Sequence, residues 1–223
     1  MQRPLVPEDV QPSELDREAR QELRSLPKDL ADTVAGHLVM TGRLIDERPA
    51  EALAHAREAR RLAGRVAAVR EAAGVAAYIN GDYADALSEL RAVRRMTGYP
   101  DHLPLMADCE RGLGRPERAI ALAADPDARR LDPESAAELR IIVSGARRDL
   151  GQAEAAVAAL EGPDLDSGDV QPWTPRLYYA YADALLAAGR TAEAVQWFTA
   201  VAGIDDGETD AEERLAELDD DGS

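Results

Sequence analysis

The chain has 223 residues, 45% of them hydrophobic, with 43 Asp and Glu against 26 Lys and Arg for a formal net charge of -17. One Phe, two Trp and six Tyr among abundant Ala and Leu suit thin, closely packed helices and argue against a sheet sandwich, which wants β-branched and aromatic residues. No run approaches 18 apolar residues and no apolar stretch follows a basic start, so neither a membrane span nor a secretory signal is expected. The acidic balance disfavours general nucleic-acid binding, which needs a basic surface.

In chain order, residues 1 to 13 hold three prolines and read as a flexible arm. Ser13 then opens a helical run whose Glu14 and Asp16 suit the positive end of a helix, and Pro27 stops it. Five helical hairpins are predicted after that. The first pairs 29–45 with 49–63, opened in its second half by Pro49, whose missing N–H goes unused in a first turn. The second pairs 65–80 with 83–97 across Asn80-Gly81-Asp82. The third pairs 102–113 with 116–124, the fourth 134–150 with 152–161, and the fifth 175–188 with 191–203. Two polar, proline-bearing linkers, around 125–132 and 161–174, separate the last three hairpins. From Asp205 to Asp221 ten acids face one Arg. This stretch, within a C-terminal region of 204–223, reads as an acidic cap and tail, with Leu215 and Leu218 as its apolar contacts.

A register runs through the hairpins. Ala52, Ala86, Ala119, Ala156 and Ala194 stand at one place in successive second helices, spaced 34, 33, 37 and 38 residues apart. Such a period marks a solenoid of helical hairpins. Gly74, Ala107, Ser144 and Ala182 stand at one place in the first helices, where a small residue lets a neighbouring helix come close.

In the second hairpin Gly74, Gly81, Tyr83, Ala86, Leu90 and Val93, and in the fifth Leu177, Tyr178, Tyr181, Ala182, Gly189, Ala194, Phe198 and Val201, resemble the tetratricopeptide repeat signature. Three matches are degraded, with Met40 at a small position and Pro116 and Ala153 at the corner Tyr. The resemblance covers about residues 30–203 and implies an all-α, right-handed α-solenoid of about five hairpins, spanning 14–203 with its N-terminal capping helix. It also implies a protein-binding scaffold or adaptor that holds a partner protein or peptide in the concave groove lined by the first helices. Carried onto this register, the exposed groove positions include His37, Thr41, Glu71, Tyr78, Asp108, Arg111, Arg148, Tyr179 and Asp183. Tyr78 and Tyr179 offer contact area with little entropy lost. Arg111 and Arg148 fall at equivalent positions and could clamp a carboxylate. The Asn and Lys residues of the family's well-known carboxylate clamp are not supplied here.

A second surface comes from the register itself. Arg57, Arg60 and Arg61 recur as Arg91, Arg94 and Arg95, so that stacking gathers six guanidinium groups into one ridge. The plain expectation for such a ridge is a solvated face whose arginines pair with Glu51, Glu58, Asp85 and Glu89. As a functional surface this convex ridge would dock an acidic face of a partner protein, the alternative function is RNA or ribonucleoprotein association along it, and capture of the chain's own acidic tail is a third reading. A homodimer through an uncapped end is a further reading.

Catalysis finds little support. His37, His55 and His102 are scattered, although His37 and His55 could meet across the first hairpin. No metal-binding HExxH or CxxC spacing and no glycine-rich phosphate loop is present. Cys109 excludes an intrachain disulfide framework and reads as a small core residue that fits a reducing cytoplasm. The expectation is a cytoplasmic, acidic, non-enzymatic protein with no cofactor, no metal and no membrane contact.

Overall fold

The structure is a computed structural model that describes residues 3–166, 168–205, 207 and 209–221. Its regular elements, among the described residues, are helices: α1 (Arg17–Leu23), α2 (Lys28–Leu44), α3 (Pro49–Ala63), α4 (Ala67–Ile79), α5 (Tyr83–Thr97), α6 (Leu103–Gly112), α7 (Pro116–Ala123), α8 (Pro133–Asp149), α9 (Ala153–Leu160), α10 (Pro163–Asp166), α11 (Thr174–Ala187), α12 (Thr191–Ala202) and α13 (Ala211–Asp221). Short 3-10 turns occupy Pro12–Glu14 and Pro126–Arg130. The chain divides into two compact units, Met1–Leu113 and Gly114–Ser223, so α1 to α6 belong to the first and α7 to α13 to the second.

In the first unit the helix boundaries follow local chemistry. The Asp16 carboxylate accepts the Ala19 N–H at 2.8 Å and caps α1, while Pro49 sits in the first turn of α3. Gly81 takes φ +81° between α4 and α5, and the Asp82 N–H returns to the Ala77 carbonyl at 2.8 Å. That left-handed step satisfies orphan carbonyls at the end of α4 and turns the chain back. The hairpins α2/α3 and α4/α5 then bury Val34, Ala52, Ala56, Ala59, Val69, Ala76, Ala86 and Leu90 completely. The residues read as an arm, from Arg3 on, run along α2. Val10 is buried, Val6 lies over Gly36, and Arg43 joins Asp9 at 2.9 Å to Glu14 at 2.8 Å.

The second unit repeats the design with more punctuation. Asp125 caps the 3-10 turn by accepting the Asp127 N–H at 2.9 Å, and Asp132 caps α8 through the Ser135 N–H at 3.0 Å. A core of Ala156, Leu160, Leu177, Ala182, Leu185, Ala194, Phe198 and Val201 joins α9, α11 and α12. Tyr178 and Tyr181 set ring edges against Trp197 at centroid distances of 4.7 and 5.0 Å. Most of the acidic C-terminal stretch is the helix α13, whose Ala211, Leu215 and Leu218 pack on this core. Asp206, Glu208, Gly222 and Ser223 of the predicted tail lie outside the described residues.

All five register alanines have no exposed surface. The small positions of the first helices are equally tight: Ala107 and Ala182 are fully buried, Ser144 is 1% exposed, and a Cβ added to Gly74 would stand 2.9 Å from Leu90 Cδ2. Leu90 has nowhere to move, since it is itself fully buried. Gly74→Val therefore overpacks the α4/α5 crossing and is expected to lower stability by about 1–3 kcal/mol. Urea unfolding checks this through a lower midpoint at unchanged slope.

Candidate functional site

Six of the nine predicted groove residues fall into one group per unit. In the first unit, α4 and α6 set Tyr78 against Asp108, and the Tyr78 hydroxyl donates to Asp108 Oδ2 at 2.6 Å. Arg111, one turn along α6, approaches the other carboxylate oxygen at 3.8 Å. Burial, reinforced by the hydrogen bond to Asp108, pushes the Tyr78 hydroxyl well above its ordinary pKa and keeps it a donor. The Tyr83 ring lies 5.9 Å from that of Tyr78, and a Cβ at Gly112 would strike it at 2.6 Å. Gly112 thus makes room for the aromatic pair. Two turns back along α4, the half-exposed Glu71 meets His102 at 3.4 Å.

His37 does not join this group. Expected at an exposed groove position, it is only 6% exposed and turns into the α2/α3 hairpin, where its Nδ1 meets His55 Nδ1 at 3.0 Å. Thr41, also expected in the groove, is buried and donates to the His37 carbonyl at 2.9 Å. The meeting of the two histidines across the hairpin, with rings tilted by 49°, agrees with the sequence reading. The groove exposure does not, because a helix turn into the hairpin and a turn into the groove are adjacent on α2 and residue type alone does not separate them.

In the second unit α8, α11 and α13 meet around Asp183. Its carboxylate is bonded by Arg148 and lies 3.6 Å from Arg214, whose guanidinium sits 5.8 Å over the Phe198 ring. Tyr179 sets its edge against the same Phe198 at 5.4 Å. Burial pushes its hydroxyl pKa up, and the hydrogen bond to Asp210 adds to the shift. The start of the acidic C-terminal helix therefore lies on the residues assigned to a partner. Asp210 and Arg214 were missed as members of this cluster. Only the Leu215 and Leu218 spacing pointed to α13 packing at all.

The six ridge arginines are mostly engaged. Arg57 reaches Asp82 at 3.0 Å and Asp85 at 2.6 Å, Arg61 grips Glu58 at 2.7 Å, and Arg91 meets the fully buried Glu110 at 2.7 Å. Arg60 shares the buried Glu89 with Arg70, which approaches it at 2.7 Å. Arg95 is exposed, and Arg94 also has an interaction of its own. Three of the four acids anticipated as partners, Glu58, Asp85 and Glu89, are indeed partners, whereas Glu51 pairs with Arg48 at 3.4 Å. Arg70 and Glu110 were not foreseen, since each comes from a first helix that the second-helix register does not index.

Groups that could do chemistry are few among the described residues. No three His, Cys, Asp or Glu side chains converge on a metal-sized space, and no helix is long and apolar enough to cross a membrane. Cys109 is buried, and desolvation pushes its thiol up to about 12, which makes it a poor nucleophile.

No protein-family model matches the chain, and no curated protein does. Solved structures do. Two crystal structures from Podosopora anserina, of a chain assigned as a kinesin light chain with nearly identical TPR-like repeats, superpose at TM-scores of 0.60 and 0.58. One of the two is a single-substitution variant; each is 17% identical, and each match covers 85% of this chain and 97% of theirs. The fold is tetratricopeptide-like. It is an all-α solenoid of paired helices; the degraded signatures at Met40 and Ala153 still fold as the hairpins α2/α3 and α8/α9, and Pro116 opens the helix α7.

Burial lowers the pKa of both hairpin histidines; Arg61 adds to the effect at His37 and His37 adds to it at His55, while Glu58 and Glu51 oppose. A depressed native pKa means that the unfolded chain binds protons first, so stability is full above the ordinary histidine pKa near 6.5 and falls as pH drops below it. The melting temperature is expected to decline between pH 7 and pH 5.5, before the carboxylates titrate. In His55→Gln, which removes one titrating ring, the decline over that interval should be at least halved.

Proposed function

We propose that this protein is a binding scaffold that holds a peptide segment of a partner protein along first helices of its hairpins, with Tyr78, Asp108 and Arg111 as the contact group. The observation that supports this reading most is the Tyr78–Asp108–Arg111 cluster on α4 and α6 of a tetratricopeptide-like fold. A half-buried ring gives contact area at low entropic cost. The hydroxyl, carboxylate and guanidinium beside it can bond successive peptide groups. The second contact group, Arg148, Tyr179 and Asp183, becomes a docking place once α13 is displaced, because Asp210 and Arg214 hold it in the described state.

The RNA alternative draws less support. Arg57, Arg60, Arg61 and Arg91 already neutralise carboxylates, and a phosphate backbone would have to compete with Asp85, Glu89, Glu58 and Glu110 for them.

The test is affinity capture on the full chain from nuclease-treated extract of its native cells, beside the Tyr78→Ala/Arg111→Ala double variant. A protein held in near-stoichiometric amount by the native chain, and reduced at least tenfold by the variant, is the expected result. Retention that is indifferent to the variant, or material that vanishes with nuclease, contradicts the reading.

A further inference from the structure

A cavity of about 830 Å³ opens in the second unit between the end of α7, the 3-10 turn, α8 and α9. Leu139 and Val143 of α8 line it, and so do seven alanines, among them Ala124, Ala128, Ala155 and Ala159. It shares no residue with the contact groups described above. Its volume lies in the range of spaces that hold ligands or anchoring side chains.

The register explains why the space is there. Counted from the recurring alanines, Ala124 holds the place that Arg57 holds in the first hairpin, and Ala155 and Ala159 hold those of Asp85 and Glu89 in the second. In the first unit side chains span that cleft: Arg57 reaches Asp85, while Arg60 and Arg70 converge on Glu89, and the space left beside Arg70 and Arg95 is smaller, about 370 Å³. In the second unit methyl groups stand in place of Arg57, Asp85 and Glu89, and Asp127 holds the place of Arg60. The helices are also cut short, with α7 and α9 at 8 residues each against 15 each for α3 and α5. Pro126 ends the first and Pro163 follows the second. Arg140, at the place of Arg70, has no glutamate to meet across the cleft and bonds Asp164 instead.

The rim carries the opposite sign to the protein as a whole. Arg129 and Arg147 both line the cavity, and among the described residues neither forms an ion pair with a carboxylate; Arg147 only donates to the Gln152 amide oxygen at 2.9 Å. The lining acid is Asp125, which is occupied in capping the 3-10 turn. An apolar floor beneath two such guanidinium groups, in a chain of net charge -17, is complementary to an apolar segment that brings carboxylates of its own.

We propose that this cavity is the docking site for an acidic amphipathic helix of a partner protein. Bulky apolar side chains seat against Leu139, Val143 and the alanines, and Asp or Glu on the flanks meet Arg129 and Arg147. The alanine walls let the incoming backbone come as near as helices come to one another elsewhere in the chain. The charged rim selects acidic over basic segments, and desolvation at the rim makes each pair stronger than an exposed one.

The test is a selection from a displayed library of helical peptides of about 16 residues, roughly four turns, on the full chain. Two variants serve as counter-screens. Ala124→Arg/Ala155→Asp rebuilds the closing pair of the first unit, and Arg129→Glu/Arg147→Glu leaves the cavity open while reversing its rim. The expected peptides combine Leu, Ile, Met or Phe at helical spacing with an excess of Asp and Glu, and their affinity by fluorescence anisotropy falls at least tenfold on both variants. The rim variant keeps the test decisive if the filled variant fails to fold by far-UV circular dichroism. Enrichment of basic or charge-neutral peptides, or no enrichment, overturns the proposal. Affinity retained on the rim variant overturns it as well, as does self-association of the native chain that the same variants abolish, which would make a second copy the occupant.

Discussion

Close approach of helices through small residues is the constraint on which everything else in this chain depends. Ala52, Ala86, Ala119, Ala156 and Ala194 are completely buried, and Gly74, Ala107, Ser144 and Ala182 stand where a larger side chain would force two helices apart. A chain that is only 4% aromatic fills few gaps with aromatic bulk, so its stability rests largely on short interhelical distances and many small dispersion contacts. The period of the repeats, the paired helices and the narrow cores all follow from that choice.

Once the helices are that close, the polar residues at their margins decide what each interface can do. In the first unit arginines and carboxylates of neighbouring hairpins meet across the clefts, and buried Glu89 and Glu110 are tolerated because guanidinium groups stand against them. In the second unit the same register supplies alanines, and a cavity results. The C-terminal helix follows the same logic, since Leu215 and Leu218 cover an apolar end while Arg214 and Asp210 satisfy Asp183 and Tyr179. One repeat pattern therefore yields a stitched surface, an open one and a covered one, according to a handful of side chains at the edges.

Much of this was legible in the sequence. The hairpins within each unit, their corners at Gly81, Gly151 and Gly189 and the buried alanines could be read because backbone conformation and helix spacing are set by local residue type. The Arg–carboxylate pairing of the ridge was also readable, since both partners sit in the same repeating second helix. What was not legible depends on rotation of a helix about its axis or on contacts between elements with no common period. His37 turned into the hairpin rather than the groove, Arg70 and Glu110 entered ion pairs from first helices, and α13 settled on Tyr179 and Asp183. The cavity was hidden for a related reason: an alanine reads the same whether it packs against a helix or faces a void, and only comparison with Arg57, Asp85 and Glu89 in the equivalent places distinguishes the two.

One alanine register is closed at its own positions and open immediately beside them in the second unit. Thiol labelling tests it directly, because native Cys109 is buried with a raised pKa and contributes little background. Cysteine would be placed singly at Ala156, which has no exposed surface, and at Ala159, which lines the cavity, and each variant labelled with maleimide under native conditions. The account predicts that Ala159→Cys reacts at close to the rate of a free thiol while Ala156→Cys is slower by two orders of magnitude or so, as expected when reaction requires local unfolding. Equal rates at the two positions, whether both fast or both protected, would contradict it.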